Sequence, residues 1–298
     1  MKKVVVTGGM GFIGFHLCKR LLEEGIEVIA IDEMPSERRE QQEEMHLRIG
    51  RNALFQLINK KIEDVDNLHA MLSDVDVVFH LAAKTKYDSK WTRLAEVIEQ
   101  NVKVTQTLLN ACHAKTRFIY ASTIEVYGAR PGLISERTPT NPTSPYGITK
   151  LASESIIKEK NNKKVPYMIL RLPTVYGPWQ RDDMTYQRIM EGVEKELITY
   201  DRTTLDLVYV EDVVDAFILA ATTDKKNEII QIASGDSEAW FKAVNKLGCH
   251  KFEKREPAAT LSTEKAASVL GFKTKTTIDE GLAKQRQHMT QWQKQQGL

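Results

Sequence analysis

Cysteine is scarce in this 298-residue chain: Cys18, Cys112 and Cys249 are the only three, far apart and in no metal-binding spacing. That excludes a disulfide-stapled secreted scaffold and a cysteine-ligated metal centre, and it fits reduced thiols in the cytoplasm. Long hydrophobic runs are missing as well. No apolar stretch approaches the roughly 20 residues that span a bilayer, and the first strand pattern starts at Lys3, which leaves no room for a signal peptide. Neither sign of charge dominates: 42 Lys+Arg face 40 Asp+Glu, a formal net charge of +2, with no basic block. Nucleic acid is therefore not an expected partner. The sequence has no internal repeat and no low-complexity tract. What is present, 42% hydrophobic and 28% charged residues, is the make-up of a soluble protein with one large or two medium domains. A cytoplasmic enzyme without a metal is expected.

Over the first 170 or so residues, apolar β-branched runs alternate with patterns of helical spacing. Strands are predicted near 3–7, 27–31, 55–59, 75–80, 117–121 and 165–170, and helices over 12–24, 64–72, 91–113 and 146–160. Such alternation specifies an α/β fold, a doubly wound parallel (Rossmann) sheet covered on both faces, with ligands at the carboxyl ends of the strands. The charged segment 33–51 reads as a surface helix plus loop without chemistry. Beyond Arg171 the pattern changes. Helices are expected at 184–196, 211–222, 239–247, 263–270 and 278–296, with strands at 205–210 and 228–232. The economical division is a cofactor domain of residues 1–171 plus about 205–232. A smaller, mainly helical C-terminal substrate domain takes about 172–204 and 233–298, and the cleft between the two holds the substrate.

The turn after the first strand, Thr7-Gly8-Gly9-Met10-Gly11-Phe12-Ile13-Gly14, is the most informative stretch. Its glycines allow bare backbone to approach an anion at a helix N-terminus. The spacing is Gly-x-x-Gly-x-x-Gly rather than the commoner Gly-x-Gly-x-x-Gly. Asp32 ends the second apolar run, where an acid can bond a ribose 2′-OH and repel a 2′-phosphate, favouring NAD over NADP. Arg38 and Arg39 lie near enough to reach a 2′-phosphate, although a charge-rich surface helix accounts for them more simply. Tyr146 and Lys150 share one face of a helix that Ser144 is placed to cap. A neighbouring ammonium, together with a positive nicotinamide ring, would favour the phenolate and make Tyr146 a base for a sugar hydroxyl. Ser122 and Thr123 follow the fifth strand, where a hydroxyl could hold the reacting oxygen or simply cap a helix.

Together these pieces resemble the extended short-chain dehydrogenase/reductase family, in its NAD-dependent nucleotide-sugar epimerase/dehydratase branch. The resemblance runs from Lys3 to about Ala220. It rests on the glycine turn, Asp32, Asp64-Val65, His80-Leu81-Ala82-Ala83, Tyr120 through Gly128, Tyr146-Gly147-Ile148-Thr149-Lys150, and Arg171 through Pro178. It implies NAD contacts from Gly8, Gly11, Phe12, Ile13, Asp32, Asp64, Val65, Leu81, Ala82, Ala83, Lys84, Ala121, Tyr146 and Lys150. Thr123 matches the family's catalytic hydroxyl, Tyr146 its base, and Lys150 the residue that lowers that base's pKa. The likeness also implies a homodimer built on the helices at 91–113 and 146–160.

The reaction is less constrained. The related 4,6-dehydratases carry Thr-Asp-Glu where this chain has Thr123-Ile124-Glu125. Glu125 could act as a C5 base, or merely cap or pair locally. A 4-epimerase of a UDP- or dTDP-hexose needs nothing that is missing and is the leading expectation. A dehydratase, a 4-keto-sugar reductase and a non-catalytic NAD-binding sensor are the alternatives. On the substrate side Thr174, Arg181 and Arg188 are candidate contacts, with Arg255 a further cation. Leu205 stands where relatives carry a diphosphate-binding arginine.

Overall fold

The computed structural model describes residues 1–35, 38–85, 91–159, 165–192, 206–249 and 259–297. Its strands are β1 (Lys3–Thr7), β2 (Glu27–Asp32), β3 (Phe55–Asn59), β4 (Val77–His80), β5 (Arg117–Thr123), β6 (Gly132–Ile134), β7 (Tyr167–Leu172), β8 (Thr174–Tyr176), β9 (Leu207–Tyr209), β10 (Glu228–Gln231) and β11 (Ala259–Leu261). The helices are α1 (Phe12–Glu23), α2 (Arg39–Ile49), α3 (Leu68–Met71), α4 (Leu94–Val97), α5 (Val104–Ala111), α6 (Pro145–Glu159), α7 (Thr185–Met190), α8 (Val210–Thr222), α9 (Ala239–Lys246) and α10 (Ile278–Gln295).

Seven strands form one parallel sheet in the order β10-β7-β5-β4-β1-β2-β3. The direction of winding reverses between β1 and β4, so the crevice outside their carboxyl ends is the natural ligand position. Alternation along the strands sorts side chains into two cores. Val4, Val6, Ala30, Phe79 and Ile119 pack with Leu17 and Leu21 of α1 and Val213 and Phe217 of α8. Val5, Ile29, Val78, Phe118 and Tyr120 face Leu68 of α3, Leu108 of α5 and Ile157 of α6. Burial on both faces explains why these strands read as continuous apolar runs.

Three expected helices differ in form, the one at 263–270 being mostly a π stretch, Ala266–Leu270. The pattern at 64–72 becomes a 3-10 turn at Ile62–Asp64 and the short α3, because Asn67 between them adopts a left-handed φ of 51°. The expected helix at 91–113 is a 3-10 turn, α4, a π stretch at Ile98–Lys103 and then α5. A π bulge inserts an extra residue per turn and commonly marks a functional site. Here it buries Asn101, whose role appears below. The strand expected at 205–210 is β9, paired with β8 in a separate two-stranded sheet. The expected helix at 184–196 is seen as α7, and its later residues lie outside the described ones.

Candidate active site

The turn after β1 is built so that side chains cannot enter it. Gly8 has φ +71°, and a Cβ there would stand 2.8 Å from the backbone nitrogen of Ala82. A Cβ on Gly14 would fall 2.0 Å from the Gly8 carbonyl oxygen, so α1 can pack this close to the turn only through glycine. Gly9 is similarly confined, 2.7 Å from the Ala30 side chain. Gly11 is the N-cap of α1; no side chain caps the helix and no acid lies in its first turn. The positive end of the helix dipole is thus left facing the crevice. Phe12 and Ile13, half-buried, pack their side chains back on the core.

Asp32 closes the far side of the turn. Its Oδ2 accepts the Met10 N–H at 2.8 Å, and its Oδ1 accepts the Gln42 amide at 3.4 Å. Gln42 also donates to the Met10 carbonyl. The charged segment expected to carry no chemistry therefore braces the turn. The repeat Gln42, Met45, Ile49, all buried, is the sequence signal for that inward face. Burial pushes the Asp32 carboxyl up to about 7, against the Met10 N–H and the charge of Arg38. A carboxyl raised from an ordinary 3.8 stabilises the fold most below about pH 4 and loses that contribution as pH rises through about 7. In cofactor-free protein, the urea midpoint of the wild type is expected to fall relative to Asp32→Asn between pH 4 and pH 7.5. A constant difference would refute the shift.

The segment after β4 lies against the turn. The Leu81 N–H donates to the Thr7 carbonyl and the Ala82 N–H to Thr7 Oγ1. Leu81, Ala82 and Ala83 are half-buried and Lys84 is exposed. Buried Asn101 clamps Lys84, accepting its N–H at 2.9 Å and donating to its carbonyl and to Thr149. Buried His80 links both sides: Nδ1 is 2.7 Å from Thr7 Oγ1 and Nε2 2.9 Å from Thr105 Oγ1. Thr105 donates to the Asn101 carbonyl, so it accepts from Nε2 and leaves Nδ1 to accept from Thr7. Burial, and then Lys150, holds His80 down at about 3, neutral at any physiological pH. Asp64 is exposed and Val65 half-buried in the turn that follows β3.

Next along the sheet, the two candidate hydroxyls separate. Ser122 donates to Glu154 Oε1 at 2.5 Å inside a buried network, and Arg171 grips the same carboxylate at 3.0 and 2.7 Å. Ser122 is thereby structural, not a holder of the reacting oxygen. Thr123, on the opposite face by strand alternation, accepts the Glu125 N–H at 3.2 Å as β5 ends. Half-buried Tyr146 opens α6, where the Ser144 hydroxyl caps the Gly147 N–H. A Cβ on Gly147 would stand 2.9 Å from the Glu125 carbonyl, so glycine lets α6 approach the 3-10 turn Ile124–Tyr127 that follows β5 this closely.

Lys150 is buried, with Nζ 2.7 Å from the Ala121 carbonyl, 4.7 Å from the Tyr120 ring centre and 5.6 Å from that of Tyr146. Burial lowers its ammonium to about 7, opposed by Glu154. In the protein without cofactor, burial, then Glu125 and Tyr120, push the Tyr146 phenol up, and Arg181 opposes them.

Of the candidate substrate contacts, Thr174 is buried in β8 and Arg188 half-buried in α7. Arg181 binds Asp183 through both nitrogens at 2.8 and 3.1 Å, and also Thr85. Its loop is pinned by Trp179, which holds a left-handed φ of 66° between Phe15 of α1 and His288 and Trp292 of α10. Asp206 is spent on the turn at Ser234 and Gly235, accepting both N–H groups and the Ser234 hydroxyl at 2.9 Å each. Leu205 and Arg255 lie outside the described residues. Among the described residues no cluster of His, Cys, Asp and Glu could hold a metal ion.

The model of the NAD dependent epimerase/dehydratase family matches residues 4–233. This chain belongs to that family. It is 33% identical over 94% of its length to an uncharacterized UDP-glucose epimerase of Bacillus subtilis, covering 95% of it. It is 30% identical to human dTDP-D-glucose 4,6-dehydratase, over 78% of this chain and 69% of that one. Among solved structures, UDP-glucuronic acid 4-epimerase from Bacillus cereus, in complex with UDP-glucuronic acid and NAD, superposes with a TM-score of 0.84. That match has 30% identity and covers 97% of this chain and 99% of the other.

As a member of the epimerase/dehydratase family the chain is an enzyme with the Rossmann sheet expected of it. The expected site residues divide by place. Gly8, Gly11, Asp32 and the Leu81–Ala83 backbone meet around one turn, while Lys150 stands beside the Tyr146 ring and meets the Ala121 carbonyl of β5, the strand that Thr123 ends. Asn101 and Gln42 escaped sequence reasoning, and His80 entered it only within the matched run from His80 to Ala83, with no role of its own. A histidine in an apolar strand and an asparagine within a helical pattern carry no local mark of a role.

Proposed function

We propose that the chain is an NAD-dependent nucleotide-sugar epimerase that oxidises a UDP- or dTDP-hexose transiently at C4 and reduces it from the other face. The observation that carries this reading is the Tyr146–Lys150 pair, with Lys150 held at the Ala121 carbonyl of β5 two residues before Thr123 ends that strand, in the same sheet whose first turn is shaped by glycine. The uncapped α1 terminus would take the pyrophosphate, Asp32 the adenosine ribose, and the Ala82 region the centre of the dinucleotide. NAD held there would supply the hydride acceptor and donor for the C4 carbinol.

Thr123 orients the C4 hydroxyl, Tyr146 accepts its proton and later gives it back, and Lys150 stabilises the phenolate from below. The high phenol pKa of the protein alone means that this proton transfer depends on added positive charge at the site. Residues of about 172–204 and 233–298 form the substrate side, with Thr174, Arg181 and Arg188 as contacts.

A dehydratase reading draws on Glu125, which faces the Tyr146 phenol. Against it, Ile124 is buried in a small apolar core with Val126, Tyr127 and Ile134, and supplies no acid for a departing C6 hydroxyl. Incubation with UDP-glucose or dTDP-glucose in D2O tests the choice. The expected product is the unlabelled 4-epimer with no net NADH. Deuterium at C5, or a 4-keto-6-deoxy product, would establish the dehydratase instead.

A homodimer fits the outer faces of α4, the π stretch and α6. Ile98 is exposed, and Leu94 and Val102 are half-buried, whereas Val97, Leu108 and Leu109 are consumed by the chain's own core. A cytoplasmic site fits three buried, unpaired cysteines. No described helix is long and apolar enough to cross a membrane.

A further inference from the structure

We propose that Gln285 of α10 is a positioning residue for nucleotide-sugar binding, which sets the spacing of two cations, Arg181 and Arg188, on the substrate's diphosphate. The proposal rests on the epimerase reading, in which both arginines are substrate contacts.

Gln285 is fully buried, on the face of α10 that also buries Gly281 and Leu282. An apolar residue would fill that place without partners, whereas a buried amide is costly unless it is hydrogen-bonded. Its Nε2 donates to Gln180 Oε1 at 2.9 Å and to Gln187 Oε1 at 3.3 Å. Gln180 comes just before Arg181 in the 177–183 loop, and Gln187 just before Arg188 in α7. One side chain thus joins the residues that immediately precede both candidate cations. Glutamine suits the task because a single amide nitrogen carries two N–H donors.

Both ends of this link are fixed. In the loop, buried Gln180 donates its Nε2 to the Val175 carbonyl at 2.9 Å and its N–H to the Gly177 carbonyl at 3.2 Å. The Pro178 carbonyl accepts His16 Nε2 at 3.0 Å. Trp179 between them is buried, with the Arg48 guanidinium 5.1 Å from its ring centre and the rings of His288 and Trp292 at 4.2 and 5.3 Å. Its left-handed φ of 66° is a strained state for a bulky residue, and such a state persists where the surroundings over-determine it. Past these anchors, Asp183 and Thr85 orient the Arg181 guanidinium. In α7, Gln187 Nε2 donates to Glu191 at 2.7 Å, which leaves Gln187 Oε1 to Gln285.

A diphosphate offers two anionic groups a fixed distance apart. Charge-assisted bonds to phosphate are strong only in good geometry, so two cations serve it fully when their own separation is held. The loop and α7 are consecutive but separate elements, and Gln285 ties them from a third, α10. The C-terminal helix, which brings no side chain to the reacting carbon in this reading, thereby tunes substrate affinity.

The test is calorimetric titration of UDP and UMP into NAD-saturated wild type, Gln285→Leu and Gln187→Met, with NAD titrated separately and UDP-glucose 4-epimerisation assayed. Gln285→Leu removes the fork at similar volume. Gln187→Met breaks the α7 arm at a half-buried position, so it reports even if the first variant folds poorly. Wild type is expected to bind UDP at least about tenfold more tightly than UMP, an advantage that falls to about threefold or less in both variants. NAD affinity should hold within about twofold, and the KM for UDP-glucose should rise with kcat little changed. A UDP advantage unmoved in both variants, or absent from wild type, overturns the proposal. So does an equal weakening of NAD, UDP and UMP, the result of damage to the fold alone. The two readings fail separately: 4-epimer with an unmoved advantage removes the positioning role, and a lowered advantage without any 4-epimer removes the epimerase.

Discussion

Tyr146→Phe is expected to lower 4-epimerase turnover by about a thousandfold, within the range by which a positioned acid–base group accelerates proton transfer. The change removes a single oxygen. The ring that packs 5.6 Å from Lys150 Nζ remains, as does the Ala121 carbonyl that holds that lysine. Substrate and NAD affinity should stay within about twofold, and the loss should fall on kcat, as for an interaction made in the transition state. Thr123→Val should cost less, because it removes an orienting bond and leaves the base. Full turnover by the phenylalanine variant, measured by following the 4-epimer directly, would remove Tyr146 from the chemistry and with it the present assignment.

The largest stability effect is expected from Glu154→Ala. The side chains of Glu154 and Arg171 are 0% and 4% exposed and share a two-pronged ion pair, with Ser122 as a third partner. Arg171 stacks 4.8 Å from the Tyr127 ring centre, and its remaining terminal nitrogen, Nη1, is buried without a hydrogen-bond partner. Removing the carboxylate leaves a guanidinium in the interior with nothing to balance it, a loss on the order of 3–5 kcal/mol. For a chain of this size that is a fall in Tm of about 10 °C. The double variant Glu154→Met/Arg171→Met removes both charges and should recover most of the loss, since a buried pair replaced by apolar groups is often neutral. A thermal scan in which Glu154→Ala melts within 2 °C of wild type would show that water or rearrangement satisfies Arg171.

Much of the cofactor side was legible before any coordinates. Gly8 and Gly14 share one short turn, where a Cβ on Gly14 would meet the Gly8 carbonyl, and Asp32 is marked by its place at a strand end. The chemistry side was legible only in part. Ser122 and Thr123 are adjacent and chemically alike, and only the direction of β5 against α6 and β7 sends one to Glu154 and leaves the other at the crevice. The helical pattern at 91–113 gives no sign of its π stretch, because the bulge serves a contact with Lys84 and Thr149. Arg181, a free cation by its sequence, is tied down by its own loop.

The linear order of residues was enough for the parallel sheet, the glycine turn, the acid that follows it and the tyrosine–lysine pair on one helical face. Each of these follows from periodicity or from constraints spanning a few residues. The tertiary structure alone decided the charge around the phenol. Burial, Glu125, Tyr120 and Arg181 come to Tyr146 from separate parts of the chain, and electrostatic influence depends on distance through space and on exclusion of water, neither of which sequence spacing records.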